Sequence, residues 1–274
     1  ELTLDMDKER LEDLFDYMKN EYVLIKENPK IFDVLLAEYP LLANIKRKTV
    51  QVEERGENTL IKIKQRLKAF FNWCVSEGYL INPFGNIKIG CPVNGTPYYI
   101  TIGERNKIAD FDLSAHPALE VQRDIFVFQC LIGCRVGDLL KFTNANIVGG
   151  VLSYMPHKTL VKNGAVLKVP LHEKAVEILK KYYKEGDNTP ILPFISAQKY
   201  NDAIKEIFTI CGITRNVVVL NPKTREPQNV PINEVASSHL ARRTFVGNLY
   251  KQVKDPNLIG KLSGHTEGSR AFSR

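Results

Sequence analysis

The sequence predicts a mainly α-helical protein with a small antiparallel β-sheet, in which an N-terminal helical domain precedes a larger α+β domain. Three observations predict it. Apolar residues recur at helical spacing through both halves. Two short strand-like runs flank an Asn163-Gly164 turn signal. Between the halves, Ile89 to Tyr98 carries two glycines and two prolines without helical period, as a linker does. The expected division is a helical domain over 1–90, a linker over 91–98 and a second domain over 99–274. At 274 residues, with 44% hydrophobic and 25% charged residues, the chain is long enough and apolar enough for two globular cores.

The elements follow in order. Residues 6–27 are a helix on the spacing of Leu11, Leu14, Phe15, Met18, Tyr22 and Ile25. Asn28-Pro29 stops it, and a shorter apolar stretch runs from Ile31 to Leu42. Lys46-Arg47-Lys48 forms a basic connector. A second helix carries Leu60, Ile63, Leu67, Phe70, Phe71, Cys74 and Val75 as one stripe, with Trp73 expected in the core, and Gly78 caps it. Its Lys62, Lys64, Arg66 and Lys68 fit either a solvated face or contacts to phosphates. Residues 103–112 and 119–141 are expected to be helical, and Val151–His157 and Gly164–Leu171 to be strands. Helices follow at Glu173–Tyr183 and Ala197–Cys211, an irregular hairpin at Val217–Ile232, and last helices at His239–Val253 and Asn257–Ser263.

Charge is placed unevenly. Residues 1–95 carry 14 Lys+Arg against 15 Asp+Glu, whereas residues 96–274 carry 24 against 16. Within the first part, residues 46–95 carry 9 against 4. Segmental positive charge suits a polyanion such as DNA, although solubility alone also accounts for a basic surface. No apolar run is long enough to cross a bilayer and no signal peptide opens the chain. Five cysteines form no metal-ligand spacing, and their odd count favours reduced thiols in a cytosolic compartment. A chain that opens on Glu1 is expected to be a fragment of a longer protein.

His239 and Arg242 lie three residues apart, so a helix presents both on one face, where they can grip an anion and handle its protons. Arg243 adjoins them as a further phosphate-contacting candidate. Upstream stands Phe128-Gln129-Cys130-Leu131-Ile132-Gly133-Cys134-Arg135-Val136-Gly137-Asp138-Leu139-Leu140, and downstream Leu262-Ser263-Gly264-His265. With Lys158 at the start of the hairpin loop and Val169-Pro170-Leu171 after it, these pieces in this order resemble the tyrosine recombinases, or phage integrase family. Arg66 to Trp73, Gly78-Tyr79-Leu80 and Asn82-Pro83-Phe84 are similar to the end of that family's SAM-like core-binding domain. The phrasing is nearest to integrases of mobile elements in Bacteroides-like bacteria.

The resemblance implies site-specific cleavage and rejoining of DNA through a 3′-phosphotyrosyl intermediate. It assigns Arg135 and Arg242 to the non-bridging phosphate oxygens, where permanently charged forked donors stabilise the transition state. Lys158, with Lys162 as alternative, is the candidate acid for the leaving 5′-oxygen, and His239 and His265 would hydrogen-bond the phosphate and assist proton transfer. Asp138 either supports Arg135 or is a helix-surface acid. The expected partner is double-stranded DNA, bound by Lys46, Arg47, Lys48, Lys62, Lys64, Arg66, Lys68 and Arg243. A homotetramer on paired sites, and DNA-bending accessory proteins, are expected with it; no cofactor, metal or membrane is. One departure stands out: the family's nucleophilic tyrosine follows the second histidine, and residues 265–274 hold none. Tyr250 precedes His265 and is expected to be an ordinary core or surface aromatic. Two readings of the absence remain, a chain ending short of its nucleophile and a catalytically dead homologue. A non-catalytic DNA-binding module is the rival function, and a type IB topoisomerase-like relaxing enzyme a third.

Overall fold

A computed structural model of the chain describes residues 6–28, 30, 34, 37–38, 53–78, 82–157 and 166–264. Two compact units divide it, Glu1–Gly95 with Leu220–Gln228, and Thr96–Val219 with Asn229–Arg274. The chain passes from the first to the second inside the expected linker, and the first also takes in a later segment that no sequence pattern marks.

In the first unit, α1 (Lys8–Glu27) and α2 (Glu57–Ser76) pack through small apolar faces. Asp7 caps α1 by accepting from the Arg10 amide at 2.9 Å. Gly78, at φ 80°, ends α2 in the left-handed conformation its sequence position predicts. The centre is Phe84, fully buried, its ring 5.9 Å from both Phe15 and Phe71. Asn82 places it: its Oδ1 accepts from the Phe84 amide at 2.9 Å and its Nδ2 donates to Asn72 Oδ1 at 2.6 Å. Trp73 is not in this core. It is 54% exposed beside Phe70, because the buried line runs through Leu60, Ile61, Phe71 and Cys74 and leaves position 73 on the helix flank. The apolar stretch 31–42 falls largely outside the described residues.

The second unit is built around α4 (Pro117–Ile132), every residue of which from Gln122 onward is buried. Around it pack α3 (Ile102–Asp110), α6 (Glu173–Tyr182), α7 (Ala197–Ile210) and α9 (Ser238–Val253). The helix expected over 119–141 is broken at Gly133, whose φ of 71° ends α4; a separate turn, α5 (Val136–Leu139), follows. Beside it, β1 (Ile147–Val148), β2 (Val151–Tyr154) and β3 (Leu167–Pro170) form an antiparallel sheet in that order. Gly149-Gly150, at φ 57° and 77°, closes the first hairpin. Leu152 faces Val169 and Tyr154 faces Leu167, so the buried residues of both strands share one face. The strands are shorter than their sequence runs, and Lys158 to Ala165, including Asn163-Gly164, lie outside the described residues. A second hairpin pairs β4 (Asn216–Leu220) with β5 (Pro227–Pro231), its turn falling in the segment Leu220–Gln228 of the first unit, and α8 (Ile232–Val235) and α10 (Pro256–Ser263) complete the second unit. Among the described residues no helix is long and apolar enough to cross a membrane.

Candidate active site

The break at Gly133 creates the site. Beyond it Cys134 is fully buried and Arg135 sits at φ −76°, ψ 149°, an extended residue lifted out of the helix line. The segment is held from beneath: Gln129 Nε2 donates to the Cys134 carbonyl at 3.1 Å, and the buried Tyr200 hydroxyl donates to Gln129 Oε1 at 3.0 Å. This buried chain satisfies its polar atoms and fixes the backbone that carries Arg135.

From the other side comes α9. Its first turn is anchored where the Ser238 amide donates to Asn201 Oδ1 at 2.9 Å. Leu240, Ala241, Arg242 and Thr244 face inward, whereas His239 is exposed. Arg242 is only 3% exposed, and its Nη1 donates to the Gly133 carbonyl at 2.7 Å. The two arginine segments are therefore joined directly, across 109 positions of sequence. Burial first, and then the Arg135 guanidinium, lower the Arg242 pKa to about 10; Tyr154, Cys134 and Asp138 act in the opposite direction. Arg242 stays charged at neutral pH, and its charge is held in a setting that favours an anion beside it.

Asp138 is buried, which removes the helix-surface reading. Its Oδ1 accepts from the His157 amide at 3.0 Å, so it ties the end of the β2 arm to α5 one residue ahead of Lys158. At the far end of the hairpin, Gly264 closes α10 at φ 67°, where a side chain would meet Leu167 at 2.8 Å and Pro156 at 3.6 Å. The last turn of α10 thus rests on the Tyr154–Leu167 end of the β2–β3 hairpin. Lys158, Lys162 and His265 themselves lie outside the described residues, but the segments leading into Lys158 and His265 meet at this end of the hairpin.

Sequence reasoning missed Tyr154. It lies within electrostatic reach of both arginines, with its ring 4.8 Å from Phe142. Burial pushes its phenol well above the usual range. Its alternation with Leu152 along β2 was the available signal. Burial likewise raises the Cys134 thiol, which excludes the reactive-thiol reading. Tyr250 is 50% exposed on α9. His172 caps α6, its Nδ1 accepting from the Lys174 amide at 3.1 Å. Among the described residues no cluster of three or more His, Cys, Asp or Glu is placed to hold a metal.

The remaining candidate cations differ from one another. Arg243 lies with its guanidinium 5.0 Å over the Tyr98 ring. On α2, Lys64 sits 4.5 Å over Phe15 and Lys68 6.0 Å over Phe84, whereas Lys62 and Arg66 are exposed. Lys46, Arg47 and Lys48 lie outside the described residues.

No family model and no curated protein matches the sequence. Solved structures do match. A lambda integrase fragment, a dimer bound to its core site, aligns with a TM-score of 0.57 at 20% identity over 79% of this chain and 72% of that one. The recombinase XerH, in a pre-cleavage complex with its difH substrate, aligns with a TM-score of 0.52 at 15% identity, over 88% of this chain and 66% of that one. The integrase of transposon Tn1549, in complex with a circular-intermediate DNA, aligns at 0.51 and 14% identity, over 76% and 72%. The chain has the fold of these tyrosine recombinases, mainly α with a small antiparallel sheet.

Proposed function

We propose that this chain is the DNA-cleaving and rejoining part of a tyrosine-type site-specific recombinase. The observation that carries the reading is the junction of Arg242 with the Arg135 segment through the Gly133 carbonyl. Two adjacent guanidinium groups, one buried, form a receptor for a phosphodiester, and become more favourable as negative charge builds on its equatorial oxygens. A tyrosine hydroxyl would attack the phosphorus, lose its proton with help from His239 or His265, and form a 3′-phosphotyrosyl ester. The 5′-oxygen leaves with a proton from Lys158, and attack by the 5′-hydroxyl of another strand reverses the step. Residues 265–274 contain no tyrosine, so the covalent step needs one from outside them.

In this reading residues 1–90 form a core-binding domain and 99–274 the catalytic domain, and the partner is double-stranded DNA. Lambda integrase has been seen as a tetramer on a Holliday junction; a homotetramer on paired sites, with DNA-bending accessory proteins, is proposed here by analogy. The rival reading, a non-catalytic DNA-binding module, is supported by the basic balance of the chain, which binding alone would use. The two separate on a nicked suicide duplex. The full-length protein should give a protease-sensitive protein–DNA adduct that disappears in Arg135→Ala and Arg242→Ala. DNA binding without any adduct would leave the module reading standing.

A further inference from the structure

We propose that Thr244 and Asn248 are positioning residues for Arg242: by gripping the backbone of Ile100 they lock α9 against the segment Tyr98–Ile100 and so aim Arg242 at the Arg135 segment. The inference rests on the recombinase reading above and adds what holds its second arginine in place.

The segment Tyr98–Ile100 is where the chain emerges from the linker, and it belongs to no helix or strand. Ile100 is nonetheless fully buried, so its amide and carbonyl need partners. Both come from α9. The Ile100 amide donates to Thr244 Oγ1 at 3.3 Å, and Asn248 Nδ2 donates to the Ile100 carbonyl at 3.2 Å. These two side chains stand one turn apart on a single helix face. The adjoining stripe, at positions 243, 247 and 251, makes three more contacts. Arg243 lies over the Tyr98 ring, and Lys251 Nζ is 5.3 Å from the centre of the Tyr99 ring. Gly247 lets that ring approach so closely that a Cβ would stand 2.8 Å from it. The segment is fixed from elsewhere too. Arg215 Nη2 donates to the Tyr99 carbonyl at 2.8 Å while its Nε pairs with Glu104 at 2.6 Å. The Tyr98 hydroxyl donates to the Val235 carbonyl at 3.2 Å.

Successive residues of a helix stand about 100° apart, so two adjacent arginines cannot both face the Arg135 segment. The contacts above assign Arg243 to the Tyr98 side and leave Arg242 for the Gly133 carbonyl. Phe245, packed on Gly133, holds the helix from the α4 side. Thr244 and Asn248 are both buried, so their effect reaches a phosphate through Arg242 rather than by contact.

The test uses the full-length protein and two readouts, single-turnover adduct formation on the nicked suicide duplex and the phosphate-induced rise in melting temperature. Thr244→Val keeps the shape and removes the acceptor. It should slow adduct formation about tenfold, with duplex affinity changed by less than about twofold. Thr244→Ser, which keeps the hydroxyl, should restore the rate. Gly247→Ala drives a methyl into the Tyr99 ring and should slow adduct formation as well; Tyr99→Leu in that background should recover part of the loss. The phosphate response should shrink in Thr244→Val and return in Thr244→Ser, whether or not an adduct forms. Three results would overturn the inference and leave the recombinase reading standing: a parental rate or phosphate response in Thr244→Val, a serine variant as impaired as the valine one, or a loss of rate matched by an equal loss of duplex affinity. No adduct from the unsubstituted protein would instead overturn the recombinase reading, and the phosphate response would then decide the inference alone.

Discussion

At Gly133 the backbone turns left-handed, φ 71°, and the Phe245 ring fills the space a side chain would need, 2.2 Å from where a Cβ would stand. Gly133→Ala therefore meets two obstacles, an unfavourable backbone conformation and a ring that cannot withdraw without moving α9. A loss of about 1–3 kcal/mol for the strained conformation alone is expected in urea unfolding. Gly133→Ala with Phe245→Leu should recover part of the loss, and an unchanged unfolding midpoint in the single variant would contradict the packing described. Arg242 gives a pH prediction. Its folded pKa, about 10, lies below that of an exposed guanidinium, so the charged form is disfavoured by folding. That cost is fully present below about pH 10 and is relieved as pH rises above it toward the ordinary guanidinium range. A bound phosphate offsets it. Phosphate should therefore raise the melting temperature at pH 8, less so as pH passes 10, and should do nothing for Arg242→Met. Asp138 is tested by contrast: Asp138→Asn can still accept the His157 amide, whereas Asp138→Ala leaves that amide unpaired at a cost of about 1–3 kcal/mol. Proteolysis of the 158–165 loop should accelerate in the alanine variant only.

Among the elements, α4 and α9 do most of the positioning, and both were legible where periodicity was strong. The apolar run through 119–132 announces a buried helix, and the His239–Arg242 spacing announces one face of another. What sequence could not show was the break. Gly133 inside an apolar pattern reads equally as a tolerated glycine or a cap, and only Phe245, more than a hundred residues away, decides it. Trp73 went astray for a related reason: an aromatic at the margin of a stripe has no sequence mark for burial, and Phe84 had already filled the small core. The Gly149-Gly150 turn was available as a signal and carried a third strand with it. Of the candidate site, Arg135 and Arg242 were legible from the motifs they stand in. The buried supports beneath them leave no local pattern: Tyr200 reaches Gln129 across 71 positions, and Asp138 reaches the His157 amide across 19. For the first unit, Phe84→Ala empties the centre of the cluster that Phe84 forms with Leu11, Phe15 and Phe71 among the described residues, and a loss of about 3–5 kcal/mol is expected. Circular dichroism melts should show the lower transition fall while a transition belonging to the second unit stays in place.

At the scale of the molecule, charge and fold point to a DNA backbone. The basic excess lies in residues 46–95 and 96–274, whereas residues 1–45 carry 5 Lys+Arg against 11 Asp+Glu. DNA affinity of the whole chain should fall steeply and linearly on a logarithmic salt scale, with a slope that counts the phosphates engaged. The arginine pair should contribute to that slope and, unlike the α2 lysines, should also govern chemistry. The most direct test of the central claim is covalent capture on a nicked suicide duplex by the full-length protein. A protease-sensitive adduct that is lost when either Arg135 or Arg242 becomes alanine, with DNA binding retained, is the predicted result; an adduct that survives both substitutions would contradict it.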